Sequence, residues 1–403
     1  MSSKTRTSVP RDARVTASVL RRLAILLIVS ALLVALPLAR SATPSAEATS
    51  GVTTTTVCSN ASVLATWSLT SLANQTIVVP VNATSIATAT PIALGGYGGI
   101  ILFGATGPTN IATVISTLQS QSYGHRGLLI MTDNEGGGVW RLANLLSPLP
   151  WARTMGSTMS TASITAAATQ AGLAMRRLGI TMDLAPVLDI DGTNAPPSAS
   201  NPDGYRSFGG NTKIVTSAGV AFMKGLLAAH VVPVIKHFPG LGGTSPNTDE
   251  GPAATASWTT VQKTSLSPFV AAMAAGAPAM MIGNASIPGV TSLPAGVSPA
   301  VLQGIVRQQL GFKGLIMTDS LSAGAVSAAH LSVTAAATAA VEAGADSVLF
   351  GFPHTGTAVQ EASAISASLV AAVTSGHLSR ATLTAAAAQV VAAKGVNLCT
   401  VPH

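Results

Sequence analysis

Apolar residues gather in eight short runs along the chain, at positions 76–81, 99–103, 127–132, 181–184, 231–235, 279–282, 314–318 and 347–350. Many of these runs are continuous rather than alternating and rich in β-branched residues, the pattern of parallel strands buried on both faces. Longer alanine-rich stretches separate them. Residues 164–178 (ITAAATQAGLAMRRL) suit a helix and stop at Gly179, a residue favoured just past a helix C-terminus. Residues 213–229, 333–343 and 381–393 also predict helices. Residues 298–310 open with Ser298 and Pro299, an N-cap followed by a first-turn proline, and end at Gly311. Strand and helix alternating in this way predict an α/β fold, a (β/α)8 TIM barrel forming a single catalytic domain, with an open doubly wound sheet as the alternative.

Only 9% of residues are charged, so the places where charge falls are informative. Asp133, Asn134 and Glu135 follow the third run, Asp189 and Asp191 the fourth, Lys236 and His237 the fifth, Asn284 the sixth and Asp319 the seventh. A barrel builds its active site at the C-terminal ends of its strands, which is where these residues collect. Any one of them alone is a weak signal, and a strand-end Asp is equally well read as an N-cap for the next helix. The stretch 236–251 (KHFPGLGGTSPNTDEG) adds a Gly- and Pro-rich loop carrying Thr244, Asn247, Asp249 and Glu250. Two carboxylates facing a sugar are what glycoside hydrolysis requires. Asp319 ends an apolar run between Thr318 and Ser320, whose hydrogen bonds would keep it ionised, and is the natural nucleophile. Lys236 offers a charge, His237 a donor to a sugar hydroxyl, and Arg141 and Arg206 forked contacts.

The formal charge of +7 says little about partners. Most of the excess lies in residues 1–48, where Lys4, Arg6, Arg11, Arg14, Arg21, Arg22 and Arg40 face only Asp12 and Glu47. No nucleic-acid partner is implied. That segment has a basic start, an apolar run at 23–39 and the small-residue site Ala46-Glu47-Ala48, the layout of a secretory signal peptide. The chain is therefore read as a signal peptide over 1–48, a linker over 49–57 and a catalytic domain over 58–403. It is expected to be secreted or to lie in the cell envelope, and to touch a membrane only if the leader stays uncleaved. Cys58 and Cys399 are the only cysteines, and in an exported protein they are expected to pair. Walker A, dinucleotide-fold, GxSxG and HExxH patterns are all missing, so no metal or cofactor is implied. His125, His230 and His354 read as structural, and Trp140 as a candidate for lining the site.

Five segments occur in a telling order: DNEGGGVWRL at 133–142, GITMDLAPVLD at 179–189, RSFG at 206–209, KHFPG at 236–240 and LIMTDSL at 315–321. Together they resemble glycoside hydrolase family 3, in its single-barrel β-N-acetylhexosaminidase branch. The resemblance implies a (β/α)8 barrel that cleaves terminal β-linked N-acetylglucosamine, often from peptidoglycan fragments, through a covalent glycosyl-enzyme intermediate and without metal or cofactor. It implies that Asp133, Arg141, Arg206, Lys236 and His237 bind the terminal sugar and that Asp319 is the nucleophile. The only partner expected is this carbohydrate, with the chain a monomer. The chain departs from the branch in one loop, which there reads K-H-F-P-G-H-G-x-T-x-x-D-S-H and ends in the Asp-His acid/base dyad. Leu241, Asn247 and Asp249 stand where that pattern has His, Asp and His. Asp249, with Glu250 as second choice, is then expected to protonate the leaving group. The alternatives are a sugar-binding protein with poor turnover and a β-glucosidase-type hydrolase. Aspartic acid titrates near 3.9 and histidine near 6.5, so the expected optimum lies on the acid side, about pH 4–6.

Overall fold

Eight parallel strands close into a barrel: β1 Ile77–Asn82, β2 Gly99–Phe103, β3 Leu129–Thr132, β4 Met182–Asp183, β5 Val232–Phe238, β6 Ala279–Ile282, β7 Leu315–Ser320 and β8 Ser347–Leu349. Each pairs with its neighbour in chain order, and β8 returns to β1 through Ile77↔Val348 and Val78↔Leu349. This computed structural model describes residues 58–242, 246–353 and 356–400. The expected signal peptide, the expected linker, Thr244 and His354 lie outside the described residues. Closure of the sheet gives the TIM barrel that the alternating pattern predicts, and sets aside the open sheet.

The strands read as continuous apolar runs because both of their faces are buried in apolar surroundings. Val78, Ile101, Met131, Met182, Val234, Met281 and Met317 form one packed cluster inside the barrel. Their neighbours Ile77, Ile100, Ile130, Ile235, Met280 and Ile316 pack outward, in the layer shared with the helices. Helices Thr161–Arg177, Thr212–Ala228, Val333–Ala343 and Arg380–Lys394 fall on the predicted stretches to within a few residues. Gly179 ends the first of these at φ 87°, and the Ile180 N–H closes the turn on the Met175 carbonyl at 3.0 Å.

Two predicted strands end too early. β7 carries Asp319 inside the strand, paired onward through Leu349↔Ser320, and β5 runs through Lys236 and His237 to Phe238↔Ile282. An apolar pattern stops at the first polar side chain, but the backbone ladder does not. The stretch beginning at Ser298 also differs. Residues Ala300–Gln309 wind as a π-helix whose N-cap position is Pro299, with no side-chain cap. Ser298 contributes its carbonyl instead, to the N–H groups of Val301 and Leu302, each at 3.0 Å.

The two ends of the domain meet. Cys58 and Cys399 form a disulfide across a sequence separation of 341 residues. Beside it the Asn60 side chain donates to the Val396 carbonyl at 2.8 Å and accepts from the Leu398 N–H at 2.7 Å. No helix among the described residues is long and apolar enough to cross a membrane. Closing so long a loop stabilises by on the order of 5 kcal/mol in the chain-entropy picture. Reduction should therefore lower the thermal midpoint by several degrees. Non-reducing mass spectrometry should find one linked peptide pair, and two alkylatable thiols in the native protein would contradict the assignment.

Candidate active site

The site is built on the C-terminal ends of β3, β4, β5 and β7. After β3 the chain makes a small hairpin, Asn134–Gly136 against Val139–Trp140. Its turn needs glycine, because Gly137 has φ 59° and a Cβ there would run into the Trp151 ring. The hairpin delivers Glu135 into the interior. Arg206 grips Glu135 as a fork, from Nε to Oε2 at 2.7 Å and from Nη2 to Oε1 at 2.8 Å. Lys236 lies 2.7 Å from Glu135 Oε1 and 2.8 Å from Asp133 Oδ1. Two cations and two carboxylates thus form one network. Burial would raise the Glu135 pKa, but Arg206 and Lys236 hold it well below the usual carboxylate range. Burial opposes the Lys236 charge, and Asp133 and Glu135 outweigh it, so its pKa is raised.

Asp189, in the loop after β4, organises the other half. Its Oδ2 meets His237 Nδ1 at 2.6 Å, and its Oδ1 accepts the Leu241 N–H at 2.8 Å. Burial pushes the His237 ring below its ordinary value, with Asp319 pulling the other way. Burial favours the neutral ring, whose Nδ1 is engaged by Asp189 and whose Nε2 remains for a further partner. Asp191 has a different job. It accepts from Thr193 N–H at 2.7 Å, Asn201 Nδ2 at 2.8 Å and Gly204 N–H at 2.8 Å, which shapes the loop leading to Arg206.

Asp319 is half-buried near the end of β7, with the Ser320 backbone N–H on its Oδ1 at 2.7 Å. The Thr318 hydroxyl accepts the Leu349 N–H at 3.0 Å. The Asn284 amide braces the strand end through the Ser320 carbonyl at 2.7 Å. Burial pushes the Asp319 carboxyl up; His237 opposes this and the Asp249 charge adds to it.

Asp133, Arg206, Lys236 and His237 therefore come together, with Asp319 beside them and Asp249 exposed but close enough for its charge to be felt at Asp319. Arg141 joins through its backbone, donating to the Asp133 carbonyl at 3.3 Å, while its guanidinium lies 5.6 Å from the Phe103 ring. Glu250 is exposed next to Asp249, and Trp140 is half-buried in the hairpin. Sequence reasoning placed Glu135 and Asp189 at strand ends without giving them roles, and passed over Asp203. Asp203 is fully buried, and neither carboxylate oxygen has a hydrogen-bond partner among the described residues. Ligand atoms of Asp189, Asp203 and His237 lie within 4.8 Å of one another. Asp189 is already engaged by N–H donors and the His237 ring, and Arg206 acts electrostatically on Asp189 and Asp203. Asp203 titrates well above the usual range, through burial and then the charge of Asp189.

Glu135→Gln should be costly, because it leaves two buried cations without their shared anion. About 3–5 kcal/mol of stability should be lost at pH 7, read by urea unfolding. The folded-state pKa of Glu135 is depressed. Its contribution is thus complete above the unfolded value near 4.3 and is lost as pH falls through the folded value, so the gap between variant and wild type should narrow in acid.

Residues 72–393 match the Glycosyl hydrolase family 3 N terminal domain. Beta-hexosaminidase LpqI of Mycobacterium tuberculosis is 32% identical over 277 residues, covering 67% of this chain and 69% of that protein. A GH3-family glycosyl hydrolase from Mycobacterium smegmatis superposes with a TM-score of 0.75 at 32% identity, over 83% of this chain and 99% of that one. A glycoside hydrolase family 3 beta-N-acetylglucosaminidase from Paenibacillus sp. gives a TM-score of 0.74 at 30% identity, over 82% of this chain and 62% of that one. The family match spans most of the chain and the barrel superposes on these relatives, so the chain belongs to glycoside hydrolase family 3 and is a glycoside hydrolase.

Proposed function

We propose that the enzyme is an exported, retaining exo-glycosidase that releases terminal β-linked N-acetylglucosamine, or a related β-glycoside, from cell-wall fragments. The observation that carries this reading is the setting of Asp319. It is a strand-end carboxylate beside the His237 ring on which the charge of Asp249 acts, next to a network of cations able to grip sugar hydroxyls. The sugar identity is drawn from the relatives, whose names include beta-hexosaminidase and beta-N-acetylglucosaminidase. The disulfide favours an oxidising compartment.

In this reading Asp133, Arg141, Arg206, Lys236 and His237 hold the terminal ring. An Asp319 carboxylate oxygen attacks the anomeric carbon while the bond to the leaving oxygen breaks, and Asp249 gives that oxygen its proton. Water then attacks the same carbon, the bond to Asp319 breaks, and the Asp249 carboxylate takes the water's proton. The Glu135 network keeps Arg206 and Lys236 charged and fixed before the sugar arrives, so little reorganisation is needed on binding.

Purified enzyme should release chromophore from an aryl β-N-acetylglucosaminide or β-glucoside somewhere in about pH 4–8. Calorimetric binding of N-acetylglucosamine without any turnover would instead mark a sugar-binding protein. Asp319→Ala should lose on the order of 10³-fold or more in kcat while remaining folded. A fluorinated substrate should label Asp319, and an adduct on another carboxylate would end the assignment.

Asp249→Ala should nearly abolish cleavage of disaccharides yet spare much of the rate on activated aryl glycosides, with azide rescuing part of the loss. If it behaves as wild type, Glu250→Ala is the next comparison. The pH profile offers a further check. The nucleophile must be ionised and its pKa is raised. The acid limb of kcat/KM should therefore lie above the ordinary aspartate value of about 3.9.

A further inference from the structure

Asp249 is exposed, and among the described residues no side chain holds its carboxylate. A short side chain of this kind takes its direction from its backbone, and here the backbone is pinned from several sides. The Asp249 N–H donates to the Asn247 side-chain oxygen at 3.0 Å, and the Glu250 N–H to the Asn247 carbonyl at 3.1 Å. Asn247 is itself tied back, its N–H donating to the Ala199 carbonyl at 2.9 Å. On the other side lies the helix Gly324–Ala328, which begins shortly after the nucleophile strand. The Gly324 N–H donates to the Asp249 carbonyl at 3.0 Å, and the Ala325 N–H to the Thr248 carbonyl at 2.9 Å.

The contact at Gly324 leaves no room for a side chain. A Cβ there would fall 2.7 Å from Glu250 C, 2.7 Å from Gly251 N and 2.8 Å from the Asp249 carbonyl oxygen. All three are backbone atoms, so no flexible side-chain tip could yield. The helix is in turn tied to the strand carrying Asp319, because the Ala323 N–H donates to the Ser320 carbonyl at 3.1 Å, and the end of that strand is held to β8 by the Leu321 N–H on the Leu349 carbonyl at 2.9 Å. The turn holding Asp249 therefore rests on the same piece of chain that carries Asp319.

We propose that Asn247 and Gly324 are the positioning residues of the acid, seating Asp249 through its backbone at a fixed place opposite Asp319. This rests on the reading of Asp249 as the acid/base, and deepens it. Asn247 sets the turn, and the bare face of Gly324 lets the turn sit down on the helix.

The test compares kcat and KM on a β-linked N-acetylglucosamine disaccharide with those on an activated aryl glycoside. Gly324→Ala should cut kcat on the disaccharide by about tenfold to a hundredfold, the cost of displacing a reacting group by about 1 Å. Turnover of the aryl glycoside, which needs little protonation, should stay near wild type, and KM should change little. Asn247→Ala should act in the same direction, and Asn247→Ser, whose hydroxyl can close the same turn, should recover much of the loss. Should Gly324→Ala fail to fold, the Asn247 pair decides the matter. Equal loss on both substrates, or no loss on either, overturns the proposal. Asp249→Ala separates the two levels: selective loss there with neutral Gly324 and Asn247 variants overturns the seat alone, whereas intact disaccharide turnover in Asp249→Ala removes the acid and the seat with it.

Discussion

Placing Arg206 and Lys236 side by side at the mouth of a closed barrel is unfavourable unless an anion sits between them. Glu135 is that anion, 3% exposed and within 2.7–2.8 Å of both cations. Desolvated like charges repel strongly, so the pair leans on Glu135, with Asp133 giving Lys236 a second carboxylate. The bond also joins three parts of the chain: the hairpin after β3, the loop after β4 and the end of β5. The hairpin depends on glycine at Gly137, the loop is shaped by the hydrogen bonds of Asp191, and the strand is extended past its apolar part. Much of the site's architecture serves to bring one carboxylate to two cations.

The loop after β5 follows from the same economy of polar groups. Leu241 stands where the resembling branch has histidine, and it is 4% exposed. Its side chain has joined the packing, while its N–H still binds Asp189. Asp189 consequently holds both the His237 ring and the start of the loop. The proposed nucleophile sits on a strand, where the sheet ladder fixes it, whereas the proposed acid sits on a turn and borrows its rigidity from a neighbouring helix. Asn247 works here through its amide oxygen, as part of a turn.

Much of this was legible in the chain. The eight apolar runs located the strands because burial on both faces leaves an unbroken apolar signal. The scarcity of charge made Asp133, Lys236, His237 and Asp319 stand out, and the structure groups them at one end of the barrel. The pairing of Cys58 with Cys399 followed from there being two cysteines in a chain read as exported. Strand limits were less legible, since Asp319 and Lys236 are polar residues within strands, and pattern reading stops at polarity.

The sequence by itself determined what depends on local composition and order: the alternation of strand and helix, the family motifs, and the absence of a histidine from residues 238–251. Only the tertiary structure decided which carboxylate serves which cation. Glu135 and Arg206 are 71 positions apart, and Asp189 and His237 are 48 apart. Barrel closure sets those distances through the register of strands between them, and no local pattern encodes it. The same holds for Asp203, whose burial beside Asp189 comes from the folding back of a loop, and for Gly324. In sequence Gly324 is one of 38 glycines. Its meaning lies in the backbone of residues 249–251 packed against it, a contact between segments that the chain order keeps far apart.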